Sequence, residues 1–220
     1  FSDTKDPVSG ECSWIKEKRM AQKIAAHLNI PFITIDLEKE YKKYVISPMI
    51  KLYSQGLTPN PDIPCNTIIK FPLLWKKAKE INADYIATGH YSIIKKDKYN
   101  FSLLSGKDKT KDQSYFLYEL SQFDLSHTLF PLGNMTKKKI REIAKKNKFP
   151  NWNKKSTSGI CFVGKVNLKT FLEKKIKNKK GKVKDQENNI IGTHHGISYY
   201  TIGQRIGPYI GINIKKPKGK

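Results

Sequence analysis

Residues 83–91 read Ala83-Asp-Tyr-Ile-Ala-Thr-Gly-His-Tyr91, an apolar run that ends in Thr-Gly-His. A short apolar run bounded by turn residues predicts a buried β-strand. Helices are predicted on both sides of this strand, and alternating helices and strands favour a parallel α/β sheet, whose ligands bind beyond the carboxyl ends of the strands. His90 stands at such an end, where nucleotides bind in many α/β proteins, although a lone histidine is more often structural.

The sequence around this strand supplies the other elements. Residues 13–28 predict a helix because Ala21, Ile24, Ala25 and Leu28 have the spacing of one apolar face. The remaining predictions are a β-rich run over 31–37, a helix carrying Phe71, Leu74, Trp75 and Ala78, a hairpin joining 92–96 to 101–105, and a helix capped by Thr136 that stops near Pro150.

The composition leaves the nature of the partner open. The chain has 220 residues and a formal net charge of +23, which favours a polyanion such as nucleic acid because lysine and arginine neutralise phosphates. Only Arg19, Arg141 and Arg205 are arginines, so lysine supplies 39 of the 42 basic residues. That bias is equally typical of lysine spread over every solvated face, and composition alone does not decide between the two.

Leader, span and cysteine patterns indicate the compartment. No charged-then-apolar leader and no apolar run of about 18 residues occur, so we expect a soluble protein of the cytoplasm or an organelle, without membrane contact. Cys12, Cys65 and Cys161 are odd in number and widely spaced, which argues against a secreted disulfide scaffold. Because no Cys-x-x-Cys pair occurs, we expect no structural zinc or other protein metal site. One or two working thiols in a reducing compartment remain possible.

The densest chemical signal is Thr58-Pro-Asn-Pro-Asp-Ile-Pro-Cys-Asn66. Its three prolines restrict the backbone of a short loop and present Asn60, Asp62 and Cys65 in a nearly fixed array. The thiolate is the reactive form of cysteine, and the helix predicted around Phe71 places Cys65 near a helix N-terminus, which favours the thiolate. The alternative is a surface turn with a buried structural cysteine, and the residues alone leave both interpretations open.

A second signal is Ser156-Thr-Ser-Gly-Ile-Cys-Phe162, in which small hydroxylic residues and Gly159 leave Cys161 approachable. The alternative is a core cysteine on a strand, since free cysteine is among the most buried residues. Two thiols in polar loops suit sulfur relay or thiol–disulfide exchange, although the sequence cannot show that they pair. Cys12 has no neighbouring base in Gly10-Glu-Cys-Ser-Trp14 and is left unassigned.

Two further segments have the composition of a nucleic-acid contact. Lys111-Asp-Gln-Ser-Tyr-Phe116 places a cation, a carboxylate, an amide and two aromatics together, which suits phosphate contact and base stacking on single-stranded RNA. The same residues also fit a helix start with the charges outward and Tyr115 and Phe116 inward. Gly203-Gln-Arg205 is likewise either a phosphate-binding turn or an ordinary basic loop.

Together these segments resemble the tRNA-specific 2-thiouridylases. Any one motif is weak evidence, but several in the order and spacing of that family, over nearly all 220 residues, are strong evidence. The motifs are TPNPDIPCN with the following IKF, ADYIATGHY, KDQSYFL, FPLG, SGICF and YTIGQR.

The resemblance implies a fold and a domain division. We expect residues 1–164 to form a parallel-sheet α/β domain of the adenine-nucleotide, PP-loop ATP pyrophosphatase type. A small mixed α/β or β-rich tRNA-binding domain is expected over 165–220. Family members open with a strand and a Ser-Gly-Gly-Val-Asp-Ser loop that holds the ATP phosphates, and they close with a β-barrel. We therefore expect this chain to be truncated at both ends and, by itself, inactive.

The resemblance also implies an activity. In the family, ATP, with Mg²⁺ expected beside it, activates the C2 carbonyl oxygen of the wobble uridine by adenylation, and a cysteine persulfide supplies the sulfur. Cys161 would carry the persulfide, and Cys65 would be the nucleophile that releases the sulfur through a transient Cys65–Cys161 disulfide. Asp62 would be the acid/base. The partners would be tRNA and a sulfur-donor protein, either a desulfurase or a relay protein.

The same resemblance assigns the binding residues. They are Asn60, Pro61 and Asp62 for the target base, Gly89 for ATP, and Lys111, Asp112 and Gln113 for the tRNA. One departure from the family is Ser156-Thr-Ser158, where members usually have Asp-Ser-Thr. Loss of that acid would change how Cys161 is held.

Two alternatives remain at this point. One is a catalytically inactive, tRNA-binding remnant of the family, and the other is an ATP pyrophosphatase of the same fold that acts on a small molecule. The two thiols, Cys65 and Cys161, argue against the small-molecule enzyme because it needs no sulfur relay. An upstream, in-frame Ser-Gly-Gly-Val-Asp-Ser loop would separate the enzyme from the remnant.

Overall fold

The computed structural model describes residues 13–154, 168–177, 179–205 and 212–214. Contacts divide the chain into two units, Phe1–Val45 with Pro61–Lys165 and Ile46–Asn60 with Val166–Lys220. The segment Ile46–Asn60 therefore groups with the C-terminal residues. The domain boundary placed between residues 164 and 165 stays a prediction. No helix in the described part of the chain combines the length and apolar character needed to cross a membrane.

The described helices lie mainly in the first unit. They are α1 (Ser13–Leu28), α2 (Glu38–Tyr41), α3 (Ser47–Ser54), α4 (Asp62–Pro64), α5 (Phe71–Glu80), α6 (Gln122–Ser126), α7 (Lys137–Lys146) and α8 (Leu168–Lys175). π-Helical segments occur at Lys42–Ile46 and Cys65–Lys70, and 3₁₀ turns occur at Ser114–Phe116 and Ile197–Tyr199.

The strands form small sheets of different kinds. They are β1 (Ile86–Ala87), β2 (Ser92–Lys96), β3 (Phe101–Ser105), β4 (Thr128–Leu129), β5 (Gly181–Lys184), β6 (Ile190–His194) and β7 (Ile212–Ile214). β1 and β4 pair in parallel, β2 and β3 form an antiparallel hairpin, and β5, β6 and β7 form an antiparallel sheet in that order. The first unit is thus α/β with parallel pairing, as predicted, and the second is a small β-rich unit with helices.

The elements predicted from local sequence signals are confirmed. α1 spans the predicted 13–28, and Ala25 on its apolar face is buried. The Thr136 hydroxyl accepts the N–H of Lys139 at 3.3 Å and so caps α7, which ends at Lys146. The hairpin forms in the predicted register around residues 97–100.

The strand predicted over 83–91 is much shorter than expected. Only Ile86–Ala87 of that stretch is strand. At its start, the N–H of Ala83 bonds to the carbonyl of Ala78 at 2.9 Å and closes α5 instead of joining the sheet. At the other end of the predicted strand, the pairing with β4 stops. Pro131, two residues after β4, has no N–H with which to continue the hydrogen bonds between the strands.

The prediction of a β-rich run over 31–37 was wrong. These residues form no strand in the structure, and Phe32 and Ile33 are 39% and 52% exposed. β-propensity describes the fit of side chains to a paired, half-buried surface. Within the described residues no strand pairs with this run, so its β-branched side chains do not make it a strand.

One buried cluster of the first unit lies between α5, α6 and the hairpin. Its buried members are Phe71, Leu117, Leu120, Leu125 and Phe130, with Ile94, Phe101 and Leu103 packed against them. This cluster fixes the start of α5 beneath the segment that follows β1.

Two glycines bring further backbone against that segment. A Cβ on Gly106 would lie 2.6 Å from the carbonyl oxygen of Tyr91, and one on Gly133 would lie 1.9 Å from that of Ser92. Only a residue without a side chain allows either approach. The FPLG motif therefore ends in glycine for a packing reason.

The second unit has its own packing. α3 contacts the Ile197–Tyr199 turn, and α8 contacts the same turn. The Tyr199 hydroxyl donates to the carbonyl of Ile176 at 3.2 Å. Phe171 and Leu172 of α8 are buried.

Candidate active site

The proline-rich motif folds as the beginning of a long helical segment. α4, the π-helical segment Cys65–Lys70 and α5 follow one another from Asp62 to Glu80. Pro61 and Pro64 have φ angles of −70° and −62°, which suit the first turn of a helix. Cys65 lies in this first turn, as predicted, with its N–H bonded to the carbonyl of Pro61 at 3.2 Å.

Cys65 is fully buried, with a relative exposure of 0%. The buried cysteine considered as an alternative is therefore observed, but in the first turn of a helix rather than in a surface loop. The positive end of the helix dipole favours a thiolate there. Because the sulfur of Cys65 is buried, a substrate or persulfide can reach it only if the surrounding structure opens locally.

The π-helical segment aligns polar side chains into a network that we call the Asn66–His90 network. The Asn66 amide Nδ2 donates to the carbonyl of Asp62 at 2.9 Å, and Lys70 Nζ donates to Asn66 Oδ1 at 2.8 Å. Lys70 Nζ also donates to His90 Nε2 at 3.4 Å, and His90 Nδ1 lies 2.8 Å from Thr88 Oγ1. The network joins the cysteine-bearing segment to the carboxyl end of β1.

The surroundings of His90 fix its charge and its tautomer. The ring is buried, stacks on Phe71 at 5.9 Å and meets the edge of Phe130 at 5.8 Å. Burial, with a smaller contribution from the Lys70 charge, lowers the pKa of His90 from 6.5 to about 4. The ring is neutral at pH 7, so Nε2 accepts from Lys70 and Nδ1–H donates to Thr88.

Gly89 lies between Thr88 and His90 and is exposed. A Cβ there would meet nothing closer than Leu132 Cδ1 at 3.7 Å, an ordinary van der Waals distance. The packing of the described chain therefore does not require glycine at this position, in contrast to Gly106 and Gly133. Contact of Gly89 with ATP stays a prediction.

Of the residues expected at the target base, Asp62 begins the same helical segment, and Asn60 and Pro61 directly precede it in the chain. Pro61 and Asp62 are half-buried, and Asn60 is exposed. Asp62 thus combines partial solvent access with a position one helical turn before Cys65. Their contact with a base stays a prediction.

The loop of residues 107–118, which we call the Lys111 loop, is held by its acidic and amide side chains. Asp112 Oδ1 accepts the N–H of Gly106 at 2.9 Å, and Asp112 Oδ2 accepts the Ser114 hydroxyl at 2.8 Å. Gln113 Oε1 accepts the N–H of Tyr91 at 3.1 Å, and the Gln113 N–H donates to the Tyr91 carbonyl at 3.1 Å. Two of the three predicted tRNA contacts are therefore also the supports of the loop.

These bonds set the ionisation of Asp112. Burial acts to raise its pKa, but the N–H of Gly106 and both donors of Ser114 outweigh that effect and lower it. Lys111 is exposed, and Tyr115 is 57% exposed. The alternative was a helix start with Tyr115 and Phe116 turned inward, and it was wrong for Tyr115, whose ring the 3₁₀ turn Ser114–Phe116 exposes, while Phe116 is half-buried.

The remaining predicted residues divide into two groups. Gly203 has a φ of +80° and Arg205 is exposed, in a turn closed by the Gln204 N–H and the Thr201 carbonyl at 3.0 Å. Cys161 and the Ser156–Ser158 segment lie outside the described residues, and Cys12 does as well. The pairing of Cys161 with Cys65 stays a prediction.

Asn66 and Lys70 are the polar residues that the sequence interpretation left without a role. Both belong to motifs quoted above, and their i, i+4 spacing was visible. That spacing brings an amide and an ammonium together on a helix. Nothing local indicated that His90, twenty positions further on, completes the network.

Comparisons with known proteins identify the relatives. Residues 2–165 match the family model described as the tRNA methyl transferase HUP domain, and residues 169–218 match the one described as the tRNA methyl transferase PRC-barrel domain. Similar curated proteins are the tRNA-specific 2-thiouridylase MnmA of Chlamydia abortus, 45% identical over 204 residues, and MnmA 1 of Geobacillus kaustophilus, 42% identical over 211 residues. The MnmA protein of Coxiella burnetii is 41% identical over 210 residues.

These alignments cover 92% of this chain for the Chlamydia protein and 96% for the other two. They cover 56% or 57% of the relatives, so the chain spans little more than half of their length. The family models match most of the chain in the order predicted from its motifs. The chain belongs to the family of the tRNA-specific 2-thiouridylases.

Proposed function

We propose that the protein containing this chain converts the wobble uridine of tRNA to 2-thiouridine, using ATP to activate the base and a cysteine persulfide as the sulfur source. The observation that carries the proposal is the Asn66–His90 network. It connects the segment bearing Asp62 and Cys65 to the segment bearing Gly89. This connection supports a single site in the first unit that brings together the thiol of Cys65 and the proposed nucleotide position at Gly89.

The nucleotide half of the proposal is supported by the end of β1. Ligands of open parallel sheets bind beyond the carboxyl ends of the strands, and Gly89 is exposed there with room for a close approach. In the proposed reaction the uridine C2 oxygen attacks the α-phosphorus of ATP, and pyrophosphate leaves. We assign no protein ligand to Mg²⁺, since this ion is held largely through substrate phosphates.

The sulfur half is supported by the position of Cys65. In the proposed step the Cys65 thiolate attacks the Cys161 persulfide, a Cys65–Cys161 disulfide forms, and hydrosulfide is released. Hydrosulfide then adds at C2, and AMP leaves with the former carbonyl oxygen. Two electrons from a dithiol reductant restore both thiols. Asp62, one helical turn from Cys65, serves as the acid/base for these proton transfers.

The partners follow from the same scheme. The exposed Lys111 contacts the tRNA backbone, while Asp112 and Gln113 combine tRNA contact with support of the Lys111 loop. The target base leaves the anticodon-loop stack to reach the site, which requires little energy in a single-stranded loop. A desulfurase or relay protein delivers sulfur to Cys161.

The test uses cysteine variants of the protein as its gene encodes it. Cys161→Ser should abolish persulfide formation and thiolation, and Cys65→Ser should abolish thiolation while Cys161 still takes up sulfur. Cys12→Ser is the matched control and should keep nearly full activity. The measurements are mass spectrometry of the protein and nucleoside analysis of the tRNA.

Two results would contradict the proposal. Full activity of Cys65→Ser, or extra sulfur on Cys12, would show that the thiol roles are wrong. A wild-type protein that binds tRNA and never forms 2-thiouridine with ATP and a sulfur donor would favour the inactive remnant instead.

A further inference from the structure

Lys70 differs from the ion-paired lysines of the first unit in how its ammonium group is held. It is half-buried and donates to Asn66 Oδ1 at 2.8 Å and to His90 Nε2 at 3.4 Å. Both acceptors are neutral. Lys77, Lys139 and Lys154, by contrast, each pair with a glutamate.

Within the described residues, the positive charge of Lys70 has no compensating carboxylate. Among the described residues, no aspartate or glutamate side chain lies within ion-pair distance of its Nζ. A half-buried charge without a counter-ion is unfavourable unless a ligand supplies the opposite charge. The protein instead fixes this ammonium with two neutral acceptors, which orients it and leaves its charge in place.

The surroundings indicate which anion the ammonium receives. Lys70 ends the π-helical segment that begins at Cys65, and such segments are frequent at functional sites. Its partner His90 follows the exposed Gly89 at the carboxyl end of β1. This end of a parallel strand is where α/β domains bind nucleotides.

We propose that Lys70 binds a phosphate group of the nucleotide at the carboxyl end of β1, with Asn66 and His90 holding its ammonium in position. The inference rests on the proposed use of ATP and adds a binding residue to that site. A lysine ammonium hydrogen-bonded to phosphate is a charge-assisted contact. Because adenosine has no phosphate, this contact distinguishes ATP from adenosine.

The test measures binding of ATP and of adenosine by calorimetry, to the protein as its gene encodes it, without tRNA or sulfur donor. Lys70→Met removes the ammonium, and Lys70→Gln removes the charge but keeps an N–H donor for Asn66 and His90. Each should weaken ATP binding by about ten- to a hundredfold, the usual effect of losing a charged hydrogen bond. Adenosine affinity should not change. Lys76→Met removes an exposed lysine of α5 and should leave both affinities unchanged.

The adenosine measurement separates a phosphate contact from a structural role. Equal weakening of ATP and adenosine by Lys70→Gln would overturn the inference, because damage to the fold acts on both ligands. Unchanged ATP affinity would overturn it too, including the case in which only tRNA binding falls. If the Lys70→Met protein does not fold, the binding measurements on Lys70→Gln alone test the inference.

Failure of this inference is distinguishable from failure of the proposed function. Wild-type thiolation of tRNA together with unchanged ATP affinity of the Lys70 variants would contradict the inference alone. Selective loss of ATP binding in those variants, with no thiolation by the wild type, would support the inference and contradict the proposed function. A wild-type protein that does not bind ATP would contradict both.

Discussion

The Asn66–His90 network and the Lys111 loop are both polar regions of the first unit, and they use polar residues in opposite ways. In the network, side chains bind one another out of water, and the buried His90 ring is kept neutral. In the Lys111 loop, side chains such as Asp112 bind the backbone, while Lys111 and Tyr115 extend into solvent. The network thus fixes the positions of its own side chains, whereas the Lys111 loop exposes Lys111 and Tyr115 to solvent.

The difference shows why a net charge of +23 says little about function. Lys70 and Lys111 count equally in that sum. Lys70 is oriented by two acceptors and suits one ligand group at a defined place. Lys111 is exposed and suits a salt-dependent attraction to a polyanion. Burial and partners distinguish the two lysines, and neither is visible in composition.

The two regions meet at Tyr91 and Ser92, and Asn66 Nδ2 also donates to the carbonyl of Phe116 in the Lys111 loop at 3.4 Å. Tyr91 follows His90 in the chain and is bonded through its backbone to Gln113 of the Lys111 loop. Gly106 and Gly133 pack directly on this junction. A disturbance of the junction should therefore affect both regions together.

The largest effect is expected from Gly133→Ala. Its Cβ would lie 1.9 Å from the Ser92 carbonyl oxygen, a backbone atom that no side-chain rotation can move away. We expect a loss of about 3 kcal/mol or more in the free energy of unfolding, measured by urea denaturation. Gly106→Ala, with 2.6 Å to the Tyr91 carbonyl oxygen, should be similar or somewhat milder.

Gly89→Ala is the matched control for this prediction. Its Cβ has 3.7 Å of space, so the free energy of unfolding should be unchanged or slightly raised. ATP affinity should nevertheless fall if Gly89 contacts the nucleotide as proposed. Equal stability of the Gly133 and Gly89 variants would show that the junction is not tightly packed.

The second effect is the pH dependence that His90 contributes. Its folded pKa of about 4 lies below the ordinary 6.5, so the unfolded chain binds the proton more readily. Stability therefore falls as pH is lowered from about 6.5 towards 4, and the difference between the two pKa values corresponds to about 3 kcal/mol at full protonation. His90→Gln should flatten the curve across this window.

The quantity to measure is the difference between wild type and His90→Gln in urea unfolding at several pH values, because contributions from carboxylates cancel in it. His127→Gln is the control. The ring of His127 contacts Trp75 at 4.3 Å, one helical turn along α5 from Phe71, so this variant tests whether the pH dependence belongs to His90 or to any histidine beside α5. A His90→Gln curve parallel to the wild type would mean that the ring is not buried in the neutral form.

The sequence predicted those elements whose signals are local. α1, the hairpin and the Thr136 cap each depend on residues close together in the chain, and all three are confirmed. The run over 31–37 and the strand over 83–91 depend on partners. Pro131, two residues after β4, limits the pairing of β1, and the sequence of residues 83–91 does not contain this information.

The candidate site follows the same rule. The position of Cys65 at a helix start was predicted from the helix that follows it, and the structure agrees. The Asn66–His90 network was missed, because the contact between Lys70 and His90 is made by tertiary packing. The roles of Asp62, Gly89 and Cys161 derive from the family resemblance and stay predictions.

A smaller effect is expected in the Lys111 loop from Asp112→Asn. The amide keeps the size of the side chain but has one acceptor oxygen in place of two, so the bonds from Gly106 and Ser114 cannot all be made. We expect a loss of about 1–2 kcal/mol in the free energy of unfolding at neutral pH. Because the folded pKa of Asp112 is lowered, this difference should shrink as pH falls through that pKa.

Asp97→Asn is the control for the Asp112 variant. Asp97 lies on the exposed hairpin turn with Lys95 Nζ at 3.6 Å, and such surface pairs contribute about 0–1 kcal/mol. If Asp97→Asn destabilised the protein as much as Asp112→Asn, the hydrogen bonds at Gly106 and Ser114 would not be what holds the loop.

The smallest effect is expected from Lys111→Ala, and it falls on tRNA binding rather than on stability. An exposed lysine that contacts a phosphate contributes through counterion release, so its loss should weaken binding modestly and reduce the salt slope by about 1. Arg205→Ala, at an exposed position of the second unit, should act in the same way. The measurement is tRNA affinity at several salt concentrations, with Lys98→Ala on the exposed hairpin turn as the control. If Lys98→Ala reduces the slope as much as Lys111→Ala, the overall lysine charge binds the tRNA, and the Lys111 loop is not a contact site.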